Sequence, residues 1–273
     1  MSLGIVIKGP EGIVLAAESR VTLTATPLGA PPIHISYDNA AKLLSFSPPN
    51  ASIGAVTYGQ AAIGLRTAHS FAPEFEGSLP SARLTVHDFA SRLSAFFLSQ
   101  WQASVPAEYG GPNMTFVVAG FNQDEPYGRV YLIDIPRSPA PLEQTTSPDF
   151  GITWGGQREF VDRLIQGYDF RLPDVATATL QLTPDRRQAL LAALQPLQMA
   201  LPLQAMPLQD CVDLALFFIR TTISAQRLTV GIRGCGGPID VATITRREGL
   251  RFVQRKEIIG EYGDPGNPRE RRI

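Results

Sequence analysis

The stretch that decides the fold is Ser2-Leu-Gly-Ile-Val-Ile-Lys-Gly-Pro-Glu-Gly-Ile-Val-Leu-Ala-Ala-Glu-Ser-Arg20. It holds two apolar runs, Leu3 to Lys8 and Ile13 to Ala17, on either side of the turn sequence Gly9-Pro10-Glu11-Gly12. This arrangement predicts a β-hairpin. Because neither run alternates apolar with polar residues, we expect both strands to lie inside a sheet that is covered on each face.

Beyond this hairpin, blocks of strands alternate with blocks of helices. We predict strands near Ile33–Tyr37, Lys42–Phe46, Ser52–Tyr58, Met114–Phe121, Val130–Ile135, Leu228–Ile232, Ile239–Thr245 and Leu250–Val253. We predict helices near 61–68, Thr85–Trp101, Gly155–Ile165, Thr183–Met199 and Leu208–Gln226. Strands that are segregated from helices along the chain favour packed layers over a doubly wound sheet.

The lack of a repeat or of a convincing linker predicts a single domain over residues 1–259. The charged, Gly- and Pro-rich segment 260–273 is expected to form an extended or disordered arm. The loop at Thr24–Pro32 is rich in Pro, Gly and Ala.

Composition excludes several classes of protein. The 273 residues carry a net charge of −1, which is not the basic balance expected of a nucleic-acid binder. No run of about 18 apolar residues is present, so we expect no membrane span. No secretory signal is recognisable, and we expect a cytoplasmic protein. The two cysteines form neither a disulfide framework nor a zinc motif, and the sequence predicts no metal and no cofactor.

The usual catalytic motifs are missing, which directs attention to the N-terminus. The chain has no Gly-rich phosphate loop, no G-x-S-x-G and no H-E-x-x-H, and its three histidines are scattered. Removal of Met1 would give Ser2 a hydroxyl and a free α-amine on one residue. An α-amine titrates near ~7.7–8, so it can accept the hydroxyl proton and activate the nucleophile. Serine is common after Met, however, so position alone favours an ordinary second residue.

The surroundings of Ser2 resemble the opening of proteasome β-type subunits, which belong to the N-terminal nucleophile (Ntn) hydrolase superfamily. Those chains begin with Thr, follow a strand to a Gly-containing turn, and return along an apolar strand that ends Ala-Ala-Asp-Ser-Arg. In a gapless alignment from Gly12 to Arg20, the family nucleophile falls on Ser2 and its first acidic residue falls on Glu18. The resemblance implies an α+β fold, a four-layer αββα sandwich of two mostly antiparallel sheets flanked by helices.

Further segments match the same family in order. Ala41-Lys42-Leu43-Leu44 fits the strand that the catalytic Lys opens, and Thr57-Tyr58-Gly59-Gln60-Ala61-Ala62 fits the segment whose Gly donates to the oxyanion. The remaining matches are Val118–Phe121 with Val130–Asp134, Gly151–Asp169 and Gly234–Val241. The resemblance therefore covers roughly residues 2 to 255, with loop insertions near 24–32 and 171–207.

The sequence also departs from the family. The nucleophile is Ser instead of Thr, and the acid is Glu instead of Asp. The Ser that supports the family nucleophile falls on Trp154 or Gly156. The late acidic residue falls on Ile232 or Arg233, and the Ser that follows it becomes Cys235.

The resemblance implies a peptidase. Ser2 would attack the peptide carbonyl, its amine and Lys42 would move the proton, Glu18 would hold Lys42 charged, and the Gly59 N–H would stabilise the oxyanion. Arg20 is expected to bind local carbonyls, and Cys235 is either a packing residue or a reactive thiol. Asp240 could stand in for the missing acid. Expected partners are copies of the chain in a ring or helical assembly, a peptide or protein substrate, and an unfolding ATPase.

Three alternatives stay open at this point. Glu18 and Lys42 could form a purely structural ion pair. The chain could be a catalytically inactive structural subunit of a proteasome-like assembly. It could also be a non-proteolytic amidase or acyl transferase, because a fold does not determine its substrate.

Overall fold

The computed structural model describes residues 2–25, 33–146, 149–231 and 233–258. Within these ranges the strands are β1 Leu3–Lys8, β2 Ile13–Glu18, β3 Val21–Ala25, β4 Ile33–Tyr37, β5 Leu43–Ser45, β6 Ile53–Gly59, β7 Ala62–Ile63, β8 Arg66–Thr67, β9 Met114–Gly120, β10 Arg129–Ile135, β11 Ser138–Glu143, β12 Gly151–Gly156, β13 Ile239–Thr245 and β14 Gly249–Gln254. The helices are α1 Ala72–Gly77, α2 Val86–Ser104, α3 Glu159–Gln166, α4 Leu172–Leu180, α5 Pro184–Leu194 and α6 Leu208–Leu228. Short 3₁₀ turns cover Ala68–Phe71 and Gln195–Leu197.

Two five-stranded antiparallel sheets form the centre of the fold. The first has the strand order β12-β1-β2-β13-β14, and the second has the order β11-β10-β9-β6-β5. Two small ribbons, β3–β4 and β7–β8, stand apart from them. The N-terminal strand β1 is therefore an interior strand, with a neighbour on each side.

Three apolar clusters hold the layers together. The first lies between the sheets and includes Leu15, Val56 and Val117. The second joins α2 to the outer face of the second sheet, and the third joins α6 and α3 to the outer face of the first sheet. This order of helix, sheet, sheet and helix is the predicted four-layer αββα sandwich, which is confirmed.

The predicted hairpin is also confirmed. Every residue of β1 and β2 is buried, and the Gly9 amide donates to the Gly12 carbonyl across the turn at 2.9 Å. Even Lys8 is buried, where its Nζ donates to the Thr145 carbonyl at 3.0 Å. The two strands do not alternate apolar with polar residues, because helices cover one face of their sheet and the second sheet covers the other.

The predicted helix at 61–68 is wrong. Its place is taken by the ribbon β7–β8 and a 3₁₀ turn, and a helix begins only at Ala72. The cause is Gly64, whose φ of +58° reverses the chain between the two short strands. A left-handed backbone of this kind is incompatible with a continuing right-handed helix.

Other elements also differ from the predictions. Helix α6 runs on to Leu228, and no strand forms over the described residues 229–231, while Ile232 lies outside the described residues. The helix expected from Gly155 begins only at Glu159, because β12 continues to Gly156. Strand β11 was not predicted, since Pro139 and Pro141 argue against a strand; it lies at a sheet edge, where prolines are tolerated.

The insertion near 171–207 forms α4 and α5. Thr183 caps α5, with its hydroxyl accepting from the Arg186 amide at 3.4 Å, and Pro184 occupies the first helical position, as predicted. The helix ends at Leu194, earlier than the expected Met199. The arm predicted at 260–273 and the loop residues 26–32 lie outside the described residues.

Candidate active site

Ser2 lies directly before the interior strand β1 and is 3% exposed. Its carbonyl accepts a hydrogen bond from the Gln157 amide at 2.7 Å. Gly156 packs against the same carbonyl, because a Cβ at that position would lie 1.8 Å from the Ser2 oxygen. Gly156 also has a φ of +90°, which favours glycine. The backbone of Ser2 is therefore held by β12 and the turn that follows it.

Glu18 closes β2 beside the start of β1, and its carboxylate is fully buried. Oε1 accepts from the Leu3 amide at 3.1 Å and from the Lys42 ammonium. Oε2 accepts from the Arg20 amide at 2.7 Å and from the Gly236 amide at 3.0 Å. Four donors satisfy this one carboxylate, as a buried charge requires. One oxygen atom links Lys42 to the amide that follows Ser2.

Lys42 precedes β5 and is 4% exposed. Its ammonium donates to Glu18 Oε1 and to the Arg20 carbonyl. Burial lowers the pKa of Lys42, and the charge of Glu18 opposes part of that shift. The resulting lysine releases a proton more readily than a lysine in water does.

Ser2 and Lys42 both line a pocket of about 20 Å³, which has room for about one water molecule. Most of its wall consists of small side chains. The lining residues are Ser2, Val21, Ala40, Ala41, Lys42, Thr57, Tyr58, Gln60, Ala61, Thr67 and Ala68.

Gly59, the predicted oxyanion donor, ends β6 between two residues that line the pocket. Its φ is +87°, and a Cβ would lie 2.2 Å from the Asn113 carbonyl oxygen. The next amide, that of Gln60, donates to the same carbonyl at 2.7 Å. The β6–β9 pairing therefore requires glycine at this point.

Among the described residues, the Arg20 side chain donates to one carbonyl, that of Arg233 at 3.5 Å, which is distant in sequence and not one of the local carbonyls expected. Its main partner is Asp38, to which Nε and Nη2 donate at 2.6 and 2.8 Å. This bidentate pair holds the pKa of Asp38 below its ordinary value. Sequence reasoning missed Asp38, because the two residues meet only when β3 and β4 pair.

Cys235 is buried among the apolar residues under the first sheet, and its amide donates to Gln226 Oε1 at 2.9 Å. Burial raises the pKa of its thiol, and the neighbouring Glu18 adds to the rise. The thiol is therefore protonated near neutral pH, which argues against a reactive thiolate. Among the alternatives for this residue, packing agrees better with these observations.

Trp154 and Asp240, which were considered as replacements for residues of the family pattern, each have a hydrogen-bond partner in the structure. The Trp154 indole donates to Asp162 Oδ1 at 2.8 Å. Asp240 is held by Lys256, through its ammonium and through its amide at 2.9 Å. Arg233 is exposed. These hydrogen bonds connect Asp240 to the segment that follows β14, and none of them reaches Ser2.

Tyr58 is a site residue that sequence reasoning missed. Its ring lines the pocket and fills the space above two glycines: a Cβ would lie 2.3 Å from the ring at Gly155 and 2.9 Å from it at Gly4. Burial raises the pKa of its hydroxyl. The sequence did contain one sign of this position for Tyr58: the two glycines, which pair with each other across β1 and β12, leave space for a large ring.

No family model matches the sequence, and no curated protein matches it. Among solved structures, the chain is similar to the Gly-1 mutant of Anbu from Hyphomicrobium sp. strain MC1. The TM-score is 0.56 at 13% identity, over 94% of this chain and 86% of that chain. The chain has the Ntn-hydrolase fold.

In the Ntn-hydrolase fold of this chain, Ser2 stands at the head of a strand in the middle of a sheet. Among the described residues, no helix is long and apolar enough to cross a membrane. Over the same ranges, no three residues of the types His, Cys, Asp and Glu are grouped so as to hold a metal ion.

Proposed function

We propose that this protein is a peptidase that uses Ser2 as an N-terminal nucleophile once Met1 has been removed. The observation that supports the proposal is that Ser2 and Lys42 line the same pocket, while Lys42 is paired with the buried carboxylate of Glu18. Buried titratable groups that face a cleft cluster at functional sites. Because a fold does not determine an activity, the proposed peptidase activity rests on these residues and not on the likeness of the fold.

In the first chemical step, Ser2 Oγ attacks the carbonyl carbon of a peptide bond. The hydroxyl proton passes to the Ser2 amine, and negative charge develops on the carbonyl oxygen. The amide of Gly59 would donate to that oxygen, a contribution of about 3 kcal/mol in comparable sites. The C–N bond then breaks, the leaving amine takes the proton, and an ester joins the substrate to Ser2.

In the second step, water hydrolyses this ester. The pocket that Ser2 and Lys42 line has room for about one water molecule. The Ser2 amine takes a proton from the water as its oxygen attacks the ester carbon. The proton then returns to Ser2 Oγ, and the carboxylic acid product leaves.

Lys42 and Glu18 have complementary roles in this scheme. The ammonium of Lys42 lowers the proton affinity of the nearby amine, which keeps that amine available as a base. Because burial lowers its own pKa, Lys42 can also exchange a proton with Ser2. Glu18 orients Lys42 and binds the Leu3 amide, which fixes the nucleophile relative to the lysine.

We also propose that copies of the chain assemble into a ring or a helical stack. Support comes from exposed apolar side chains on α4, where Leu172 and Val175, three residues apart on the helix, are 40% and 58% exposed. Large exposed apolar residues that lie close together indicate an interaction surface.

Labelling with a serine-directed electrophile tests the proposed activity. We expect a fluorophosphonate probe to modify the native protein once per chain and Ser2→Ala to lose the label. Ser45→Ala, which changes an exposed serine on β5, is the matched control and should keep it. A panel of peptides and simple amides then separates a peptidase from an amidase.

A second candidate is a catalytically inactive structural subunit. The observation that favours it is the engagement of Trp154 with Asp162, in the place of a serine that would support the nucleophile. This candidate predicts no labelling of the native protein together with an intact assembly. Labelling that depends on Ser2 excludes it.

A further inference from the structure

Gln226 is a buried amide side chain in the last turn of α6, where it is 5% exposed. Both ends of this amide are hydrogen-bonded. Its Oε1 accepts from the Cys235 backbone amide at 2.9 Å, and its Nε2 donates to Oε1 of Gln157 at 3.0 Å. Because a backbone N–H can only donate, it determines which way the Gln226 amide faces. One side chain of α6 therefore joins the segment before β13 to the turn after β12.

The segment before β13 is connected to the start of β1 through Glu18. The Gly236 amide donates to Glu18 Oε2 at 3.0 Å. The other oxygen of the same carboxylate accepts from the Leu3 amide at 3.1 Å. The Ser19 amide also donates to the Gly236 carbonyl at 3.1 Å. This segment is therefore fixed to the end of β2 and, through Glu18, to the residue that follows Ser2.

The turn after β12 reaches the same peptide group from the other side. The Gln157 amide donates to the Ser2 carbonyl at 2.7 Å. The peptide group between Ser2 and Leu3 is thus bonded at its oxygen and at its N–H, and the hydrogen bonds form a closed ring. We call this set of residues the Ser2 ring; its members are Ser2, Leu3, Glu18, Gln157, Gln226, Cys235 and Gly236.

The Ser2 ring provides support that the residues considered as replacements for the family pattern do not. The hydrogen bonds of Trp154 and Asp240 go to Asp162 and Lys256, and none of them reaches Ser2. A buried network whose donors and acceptors are satisfied is rigid and favours one arrangement. Such a network is suited to hold a backbone group in one position.

We propose that Gln226 is a positioning residue for the proposed nucleophile. Through Gln157 and through the segment bonded to Glu18, it fixes the peptide group that follows Ser2. The ring thereby keeps the hydroxyl and the amine of Ser2 in one position relative to Lys42. A displacement of a reacting group by about 1 Å lowers a rate by about a hundredfold in comparable sites. The inference rests on the proposed peptidase function, and it concerns the geometry of the site.

Three substitutions on α6 test this role. Gln226→Met keeps the length of the side chain but makes no comparable hydrogen bond. Gln226→Glu is the conservative variant, because a protonated carboxyl accepts from the Cys235 amide with one oxygen and donates to Gln157 with the other. The matched control is Thr222→Val, one turn earlier on the buried face, which removes a hydroxyl that donates to the Phe218 carbonyl at 2.9 Å.

Saturation kinetics of fluorophosphonate labelling separate positioning from folding. We expect Gln226→Met to lower the maximal labelling rate about tenfold or more, with an unchanged half-saturating probe concentration. Gln226→Glu should recover most of that rate, and Thr222→Val should label as the parent does even where its melting temperature falls. An unchanged maximal rate in Gln226→Met overturns the inference, as does an equal loss of rate in Thr222→Val.

A double-mutant cycle with Gln157→Met provides a second test, at a half-buried turn position where the substitution leaves the helix intact. This variant keeps the backbone amide that binds the Ser2 carbonyl and loses only the side-chain oxygen. If the two glutamines act as one unit, the double variant labels no more slowly than Gln226→Met alone. Additive losses, or an unchanged rate in Gln157→Met, overturn the inference.

Trimming by an aminopeptidase, followed by intact mass, needs no activity of the protein itself. Removal of residue 2 requires local opening of the chain start, so we expect it to be about tenfold faster in Gln226→Met and unchanged in Thr222→Val. Faster trimming in a protein whose Ser2 is not labelled supports the ring and removes the peptidase. Labelling of the native protein, with trimming and labelling rates unchanged in Gln226→Met, overturns the inference and leaves the peptidase.

Discussion

Glu18 makes the densest set of contacts at the site, since its carboxylate accepts from three backbone amides and from Lys42. It is 1% exposed, and so its charge depends on those donors. The same carboxylate joins the start of β1, the end of β2 and the Gly236 segment. Its substitution should therefore disturb both stability and the proposed chemistry.

We predict that Glu18→Gln lowers the free energy of unfolding by about 3–5 kcal/mol, because it leaves Lys42 buried without its counter-charge. Urea denaturation measures the change. Glu248→Gln, which removes an exposed contact with Arg251 at 3.3 Å, should cost less than about 1 kcal/mol. Equal effects of the two substitutions would contradict the buried-pair description.

The lowered pKa of Lys42 predicts a pH dependence. The rate of Ser2 labelling should rise with pH and level off below 10.5, the ordinary value for lysine. Stability should also rise between the lowered pKa and 10.5, because the unfolded chain binds the proton more tightly there. Lys42→Arg keeps the charge but cannot release a proton, so we expect slower labelling whose rate no longer follows the ionisation of residue 42. A labelling rate that rises only at the pH where a lysine in water ionises would contradict the burial of Lys42.

For single residues, the sequence could predict those that the family pattern marks, but not the residues that they contact in the fold. Glu18 and Lys42 were named from the sequence and lie in contact, although their catalytic roles stay predictions. Asp38 and Tyr58 were missed, because topology alone brings them to Arg20 and to the glycines of β1 and β12. The position of Ile232 lies outside the described residues.

At the level of secondary-structure elements, β12 and β1 determine where Ser2 lies. Gly156→Ala should displace Ser2, since a Cβ has no room beside the Ser2 carbonyl and the φ of +90° strains an L-residue. Strain of this backbone type costs about 1–3 kcal/mol before the clash is counted. We expect a lower melting temperature in calorimetry and loss of Ser2 labelling. Gly110→Ala, which meets no neighbour within 4 Å, is the control and should change neither.

Elements were predicted well where burial dominates and poorly where single residues redirect the chain. The all-buried β1 and β2 followed from their unbroken apolar runs. The helix at 61–68 failed because Gly64 turns the chain, and β11 was missed because its edge position tolerates two prolines. Two prolines exclude an interior strand, but local composition alone does not distinguish an edge strand from a loop.

For the whole molecule, stability depends on three apolar clusters, one between each pair of layers. Phe97 lies in the α2 cluster at 1% exposure, in ring contact with Phe71, Phe96 and Phe116. We predict that Phe97→Ala costs about 3–5 kcal/mol of unfolding free energy in urea titrations. Phe217→Ala, at a half-exposed site on α6, should cost clearly less. A similar loss at both positions would contradict the layer assignment.

The order of strand and helix blocks favoured packed layers, and the resemblance to proteasome β-type subunits implied that there are four of them. The sequence could not give the separation of the β3–β4 ribbon from both large sheets, since that depends on where β4 finds a partner. This separation leaves Leu23, Ile35 and Tyr37 of the ribbon 44%, 42% and 61% exposed.

The central claim is that the chain's reactive group is a terminal serine that provides its own base. Tandem mass spectrometry of the electrophile-treated native protein tests it, by locating the adduct and reading the first residue of the chain. The account predicts a chain that begins at Ser2 and carries the adduct on that residue. A chain that keeps Met1, or an adduct on any other residue, would contradict it.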